Sequence, residues 1–310
     1  MEAALKDCRL CPRDCGADRS KRHGYCGAGD RLKAARAALH YWEEPCISGK
    51  HGSGAVFFSG CSLHCLYCQN RAISDGSKGK EITVKELTGV FFKLADEGAE
   101  NINLVTGDHF IPQIAEAVSE AKGIGLRKPF IFNCSGYETV ESLKMLEGLI
   151  DVYLPDFKYM EPAPAHRYSN AADYPETAKK AIDEMVRQQP SCIFDSEGMI
   201  QKGVIVRNLL LPGNVGNSKK ILKYLYEKYG DSIYISIMSQ YTPMDVACDI
   251  YPELSRRVKK SEYDRLVDYA IKLGIGNAYI QEMSVAKDSF IPDFDEAGVL
   301  EAGRSWHISR

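Results

Sequence analysis

The sequence predicts an α/β fold, a partial TIM-like (β/α)6 barrel over residues 46–310 behind a cysteine-rich extension at 1–45. Two observations predict the barrel. Short apolar runs of strand length alternate six times with amphipathic helical stretches, which places parallel strands inside a layer of helices. The runs are apolar throughout, as strands buried on both faces are. Right-handed crossovers then curl six units into an open barrel, short of the closed eightfold one.

The elements follow in order. Residues 1–45 lack sustained periodicity except near Arg31 to Tyr41, and they carry four cysteines among Gly, Asp and Arg. Ala55 to Phe58 is the first predicted barrel strand, ending at Ser59, Gly60 and Cys61. Thr83 opens a helix through Leu87, Val90, Phe91 and Leu94, with Glu86 completing a capping box. A strand over 103–106 precedes a helix over 111–121, and a strand over 129–133 precedes a helix over 139–149. A fourth strand, 152–156, leads to a long helix over 171–187. A hairpin at Ser196, Glu197 and Gly198 enters the fifth strand, 203–211, and a helix over 219–229 follows. The sixth strand, 233–238, precedes a helix over 261–273.

The 310 residues suit one large α/β domain. Hydrophobic residues make up 45% and charged residues 26%, the balance of a globular chain with a full core. A formal net charge of -3 supplies no basic field for nucleic acid or an anionic membrane, so neither is an expected partner. Met1 opens onto Glu2 without a signal-peptide pattern, and the longest apolar run, Gly203 to Pro212, is far too short for a bilayer. A cytoplasmic location is expected.

Cysteine is in excess. Seven of the eleven fall in two short clusters, which without an export signal points to metal or redox chemistry rather than disulfides. The second cluster, Cys61-Ser-Leu-His-Cys65-Leu-Tyr-Cys68, follows the first barrel strand, in the βα loop where such barrels place their chemistry. Three thiolates in one loop can hold three irons of a cubane cluster and leave the fourth iron open. A zinc loop is the plain alternative; His64 would have to be its fourth ligand from inside the loop.

The C-x3-C-x2-C spacing, with Tyr67 before the last cysteine, resembles the radical S-adenosylmethionine (SAM) superfamily. The resemblance implies a [4Fe–4S] cluster on Cys61, Cys65 and Cys68 whose open iron chelates SAM. It implies reductive cleavage of SAM to methionine and a 5′-deoxyadenosyl radical that abstracts a substrate hydrogen. It further implies SAM contacts from Tyr67, from Thr106, Gly107 and Asp108 at the second strand end, and from Asn133 and Ser135 at the third. Asp156 and Lys158 at the fourth resemble an Asp-x-Lys segment of glycyl-radical-enzyme activases, and Arg207 on the fifth resembles an arginine those activases use near the SAM carboxylate. Each has a plain account as well: Asp108 as a helix cap, Asp156 and Lys158 as an ion pair, Arg207 paired with a carboxylate inside the barrel.

The first cluster, Cys8-x2-Cys11-x3-Cys15-x10-Cys26, could hold a second Fe–S cluster as an electron relay or a zinc ion as a staple. Arg9, Arg13, Arg19, Lys21 and Arg22 around it would favour thiolates.

A narrower resemblance covers nearly the whole chain. Glu43-Glu-Pro-Cys-Ile-Ser-Gly49, Phe57-Phe-Ser-Gly-Cys61, Val105-Thr-Gly-Asp-His-Phe-Ile-Pro-Gln113, Met238-Ser-Gln-Tyr-Thr-Pro243 and Phe290-Ile-Pro-Asp-Phe-Asp295 are similar to the PflX-like group, relatives of pyruvate formate-lyase activases. This implies an electron donor of flavodoxin or ferredoxin type, and either a protein or peptide substrate or a small metabolite. Activases carry their extra cysteines after the SAM motif, whereas here they precede it, so a glycyl-radical-enzyme activase is an alternative reading. A zinc-binding scaffold is the alternative of another class. On the substrate side, Ser239, Gln240, Tyr241, Tyr279, Gln281 and Glu282 are candidates, with Tyr241 as a catalytic hydrogen relay. Glu43 and Glu44 could meet a substrate amine, although paired acids ahead of a proline are ordinarily a solvated loop.

Overall fold

The computed structural model describes residues 2–282 and 292–299, which places Phe290 and Ile291 of the last matching segment outside the described residues. Ten strands form one sheet: β1 (Leu32–His40), β2 (Ser53–Phe58), β3 (Lys80–Ile82), β4 (Ile102–Val105), β5 (Phe130–Cys134), β6 (Val152–Pro155), β7 (Ile193–Phe194), β8 (Ile200–Leu209), β9 (Tyr234–Met238) and β10 (Ala278–Ile280). Their spatial order is β10-β9-β8-β6-β5-β4-β2-β1-β3, with β7 paired to β8. Every pair from β2 across to β10 is parallel, while β1 runs antiparallel to both β2 and β3.

The predicted partial barrel is present, and its six strands are β2, β4, β5, β6, β8 and β9. Strand β10 adds a short seventh parallel member. Strand β1 comes from the 1–45 segment and lies along β2 from Ala34 to His40, so the sheet begins before residue 45.

Helices cover the outer face of the sheet. Thr83 accepts from the Glu86 amide and the Glu86 carboxylate accepts from the Thr83 amide, closing the expected capping box of helix Val84–Asp96. Thr83→Ala should lower stability by about 1 kcal/mol in chemical denaturation, since it orphans the Glu86 amide in the first turn. The helix expected over 171–187 forms as Tyr174–Gln188, and a further helix that the periodicity did not announce, Pro162–Ser169, precedes it. Asn170 takes the left-handed conformation (φ 46°) as the C-cap of Pro162–Ser169, and Pro175 restarts the chain in the first turn of Tyr174–Gln188. The helix over 139–149 is cut to Val140–Lys144, with Thr139 capping it. The hairpin into β8 forms as expected, its turn held by Asp195 Oδ1 accepting from the Glu197 and Met199 amides at 2.9 Å each.

Strand alternation sorts the side chains. Phe130 and Phe132 point outward into the helical layer, where Phe130 meets Phe91 edge-on at 5.2 Å. Ile131 points inward and packs with Val152, Leu154 and Ile205, together with Cys46 and Ile47 from the short helix Pro45–Ser48. That helix fills the barrel interior. Two residues further along each strand, toward the carboxyl ends, the inner face turns polar with Asn133, Asp156 and Arg207. No helix among the described residues is long and apolar enough to cross a membrane.

Candidate functional site

At the carboxyl ends of the strands lies a cavity of about 210 Å³, with Cys61, Cys65 and Cys68 lining one end. The cysteine loop leaves β2 through Gly60, whose φ of +95° and 2.6 Å clearance to the Cys26 carbonyl exclude a side chain. The loop is held on every side. Cys61 N donates to Cys26 O at 3.0 Å, Leu66 N to Tyr168 O at 2.9 Å, and Arg13 donates to the carbonyls of Ser62, Leu63, Ser169 and Asn170. Ser169 Oγ donates to Cys65 Sγ at 3.0 Å, and Tyr159 Oη stands 2.7 Å from that serine and 2.8 Å from Tyr67 Oη. Burial pushes the Cys68 thiol up to about 11 and that of Cys61 up as well. A coordinated metal ion reverses that preference and favours the thiolate.

These residues fit a three-cysteine cluster. All three cysteines line the cavity, the chain around them is tied by hydrogen bonds, and Cys65 already accepts a hydrogen bond of the kind that tunes such clusters, although among the described residues no three Cys, His, Asp or Glu side chains are gathered tightly enough to grip a metal ion as they stand.

The rest of the cavity brings together most of the expected SAM contacts: Tyr67, Thr106, Asn133, Ser135, Asp156, Lys158 and Arg207 all line it. Thr106 adopts a φ of +58°, an outlier for a β-branched residue and a place where strain is held at the cavity wall. Arg207 is the hub of the floor. It donates to Asp156 Oδ1 at 2.9 Å, Glu43 Oε2 at 3.1 Å and Asn133 Oδ1 at 2.6 Å, while Lys158 Nζ donates to Asp156 Oδ2 at 2.5 Å. The plain ion-pair accounts of Asp156, Lys158 and Arg207 are therefore realised in this structure, on side chains that also face the cavity.

Three placements differ from expectation. Glu44 is buried and Glu43 half-buried rather than solvated: they lead into the Pro45–Ser48 helix, and Glu43 Oε1 accepts from Asn103 and Asn133 at 3.1 Å each. Only the resemblance of the 43–49 segment could have signalled this. Asp108 does not cap a helix with its side chain and does not line the cavity; it is fully buried, with Oδ2 accepting from Ser62 Oγ at 3.1 Å and Oδ1 unpartnered. Gly107 is likewise absent from the lining, its Cα facing Ile114 and Phe58. Tyr241 is 1% exposed, donates to Leu254 O at 2.7 Å and packs edge-on to Tyr67, so its hydroxyl is spent on the core. Of the other substrate-side candidates, Gln240 lines the cavity, and its backbone and side-chain oxygens accept from Gln69 and Gln281. His40, which sequence reasoning passed over, also lines it; burial beside Arg36 and Arg207 lowers its pKa to about 4, so it is neutral at physiological pH.

Behind Cys134 two acids lie close together and fully buried, Asp108 and Glu138, each with one unpartnered oxygen. Burial raises both, and the Asp108 carboxyl raises Glu138 further, so Glu138 is held neutral above its ordinary 4.5. A carboxyl raised in the folded state contributes stability that is full below 4.5 and is lost as pH climbs through its folded value. Glu138→Gln should flatten the decline of melting temperature from pH 5 upward; an unchanged pH profile would refute this.

Of the four amino-terminal cysteines, Cys26 abuts the loop, its carbonyl accepting from the Cys61 amide, and no three of the four are gathered tightly enough to grip a metal ion as they stand. A side chain on Gly24 would lie 3.4 Å from Cys26 Sγ and 3.6 Å from Cys15 Sγ, so glycine keeps the space between two thiols open. Cys8 and Cys11 are buried with them, and the turns Asp14 N to Cys11 O and Gly27 N to Gly24 O shape the ligand loops.

Residues 55–195 match the family model described as the radical SAM superfamily. An uncharacterized protein of Methanocaldococcus jannaschii is 27% identical over 283 residues, 89% of this chain and 77% of its own length. The FeFe-hydrogenase maturase HydG from Carboxydothermus hydrogenoformans shares the fold at a TM-score of 0.50 and 14% identity, over 74% of this chain and 54% of that one. A domain of a pyruvate-formate lyase-activating enzyme from Bacteroides vulgatus aligns at a TM-score of 0.42 and 12% identity, over 59% of this chain and all of that one. The chain spans about half the length of the HydG structures it matches.

Proposed function

From the premise that residues 55–195 form a radical SAM domain, which works with a [4Fe–4S] cluster and SAM, we propose that Cys61, Cys65 and Cys68 hold that cluster and that SAM occupies the adjoining cavity. The observation that carries this reading is one cavity with three thiols at one end and a mixed-charge floor beside them. SAM is a zwitterion; Asp156 and Glu43 suit its ammonium and sulfonium, while Lys158 and Arg207 suit its carboxylate. When bound, cluster and SAM together supply the radical that takes hydrogen from a substrate. The protein's part is positional: Arg13 and Ser169 fix the cysteine loop, and Thr106, Asn133 and Ser135 present polar atoms at the strand ends.

Cys8, Cys11, Cys15 and Cys26 form a second metal centre that relays electrons, because Cys26 lends its carbonyl to the Cys61 amide and so abuts the first centre. The donor is of flavodoxin or ferredoxin type, and the enzyme works in the cytoplasm. The substrate is a small molecule or a peptide rather than a glycyl radical enzyme, since the extra cysteines precede the SAM motif. Anaerobic metal analysis tests both centres. About eight irons per chain are expected, falling to about four in Cys26→Ala. Zinc without iron and sulfide would overturn the reading in favour of a scaffold, and reduced protein that yields no 5′-deoxyadenosine from SAM would overturn the chemistry.

A further inference from the structure

A second cavity, of about 340 Å³, lies apart from the cysteine-lined one, between the Arg19–Lys33 segment and the loop that carries Gly76. Its wall is strongly basic. Arg19, Lys21, Arg22, Arg31 and Lys33 line it against only Asp30 and Glu81. Glu81 is engaged by Arg31 at 3.3 Å and Lys21 pairs with Asp18 at 2.9 Å, whereas no carboxylate lies within ion-pair distance of Arg19, Arg22 or Lys33 among the described residues. Those three are held by carbonyls instead: Arg19 by Gly29 and His109, Arg22 by Gly16, and Lys33 by Gly76 and Ser77.

Two of the lining side chains are nearly closed off from solvent. Arg19 is 2% and Ser59 is 1% exposed, and each carries an atom with no hydrogen-bond partner, Arg19 Nη2 and Ser59 Oγ. A buried charged donor left unpaired is costly, more so than a neutral one, so Arg19 Nη2 in the wall of a basic cavity asks for an acceptor that carries negative charge, and the neutral Ser59 hydroxyl beside it can donate to the same group. Carbonyls position the three cations without neutralising them, which keeps their charge available to a ligand. We propose that this cavity binds a polyphosphate group, either free pyrophosphate or the phosphate tail of a nucleotide. The wall is predominantly polar and Phe110 is fully buried under Arg19, so the site recognises the phosphates, and the exposed imidazole of His23 is the one ring in its lining that a base could reach.

Because Arg19, Lys21 and Arg22 lie between Cys15 and Cys26, occupancy of this cavity would tie down the longest loop of the amino-terminal cysteine cluster. The test is calorimetric titration of the full chain with inorganic pyrophosphate and, in parallel, with ATP. Binding of pyrophosphate is expected, weakening steeply as salt rises, and Lys21→Glu with Arg22→Glu should weaken it at least tenfold. Both side chains are exposed, so that double variant should fold, and Arg265→Glu on a distant exposed helix face serves as the control that leaves binding unchanged. Equal affinity for the two ligands identifies free pyrophosphate as sufficient, and tighter ATP binding identifies a nucleotide. No binding of either, or binding that the double variant and the control reduce equally, overturns the proposal.

Discussion

Alanine at Cys61, Cys65 or Cys68 is expected to remove about four irons per chain and reduce 5′-deoxyadenosine formation to the uncatalysed background. The effect should be all or none, because a cubane held by three thiolates cannot be retained by two. The fold should survive it. Cys61, Cys65 and Cys68 lie on a loop whose position is set by Arg13, by the Tyr168 carbonyl and by the Cys26 carbonyl, none of which depends on a thiol. Circular dichroism and melting temperature should therefore change little while iron and activity vanish. Retention of SAM cleavage in any of the three would refute the assignment. Ser169→Ala provides a graded companion: it removes only the hydrogen bond to Cys65 Sγ, so iron should stay and the cluster's reduction potential should shift.

The largest expected loss of stability belongs to Arg207. Its guanidinium is the shared partner of two largely enclosed carboxylates, Asp156 and Glu43, and of Asn133. Arg207→Met keeps most of the volume but leaves Glu43 with no cation and Asp156 with Lys158 alone. Removing one partner from a buried ion pair costs about 3–5 kcal/mol, since the remaining charge is left uncompensated. Chemical denaturation should register a loss of that order, and SAM affinity should fall with it. The linked variant Arg207→Met with Glu43→Gln should recover part of the stability, because it removes the stranded charge. Recovery of stability without recovery of SAM binding would separate the structural role of Arg207 from its role at the ligand. A variant as stable as the parent would show that this network contributes no stability.

Much of the chain was legible without a structure because its signals are local. The six parallel strands announce themselves as apolar runs, the Thr83–Glu86 capping box lies within one turn, and the three-cysteine spacing is confined to eight residues. The short helix Pro162–Ser169 went unread because its sequence is rich in proline and it ends on Asn170 in the left-handed region, leaving too few residues for a periodic signal. The other misjudged elements depended on neighbours far away in sequence. Asp108 was expected at the cavity because it ends a strand beside Thr106 and Gly107. The turn begun by Thr106 at positive φ instead carries its side chain behind the cysteine loop. Glu43 looked like solvated loop because acids before a proline usually are; its burial is possible only because Arg207, some 164 residues later, arrives to neutralise it.

The sequence by itself carried the resemblance to radical SAM proteins, through three cysteines at a spacing that one short loop must hold together. Tertiary structure decided what surrounds those thiols. It brought Cys26 against Cys61, set Glu43 on Arg207, withdrew Asp108 and Tyr241 from the cavity, and left Arg19 and Ser59 with unpaired atoms in a basic wall. The physical reason is that ligand spacing is a property of a few consecutive residues. Charge compensation and burial are properties of side chains that meet only when the strands have been laid side by side.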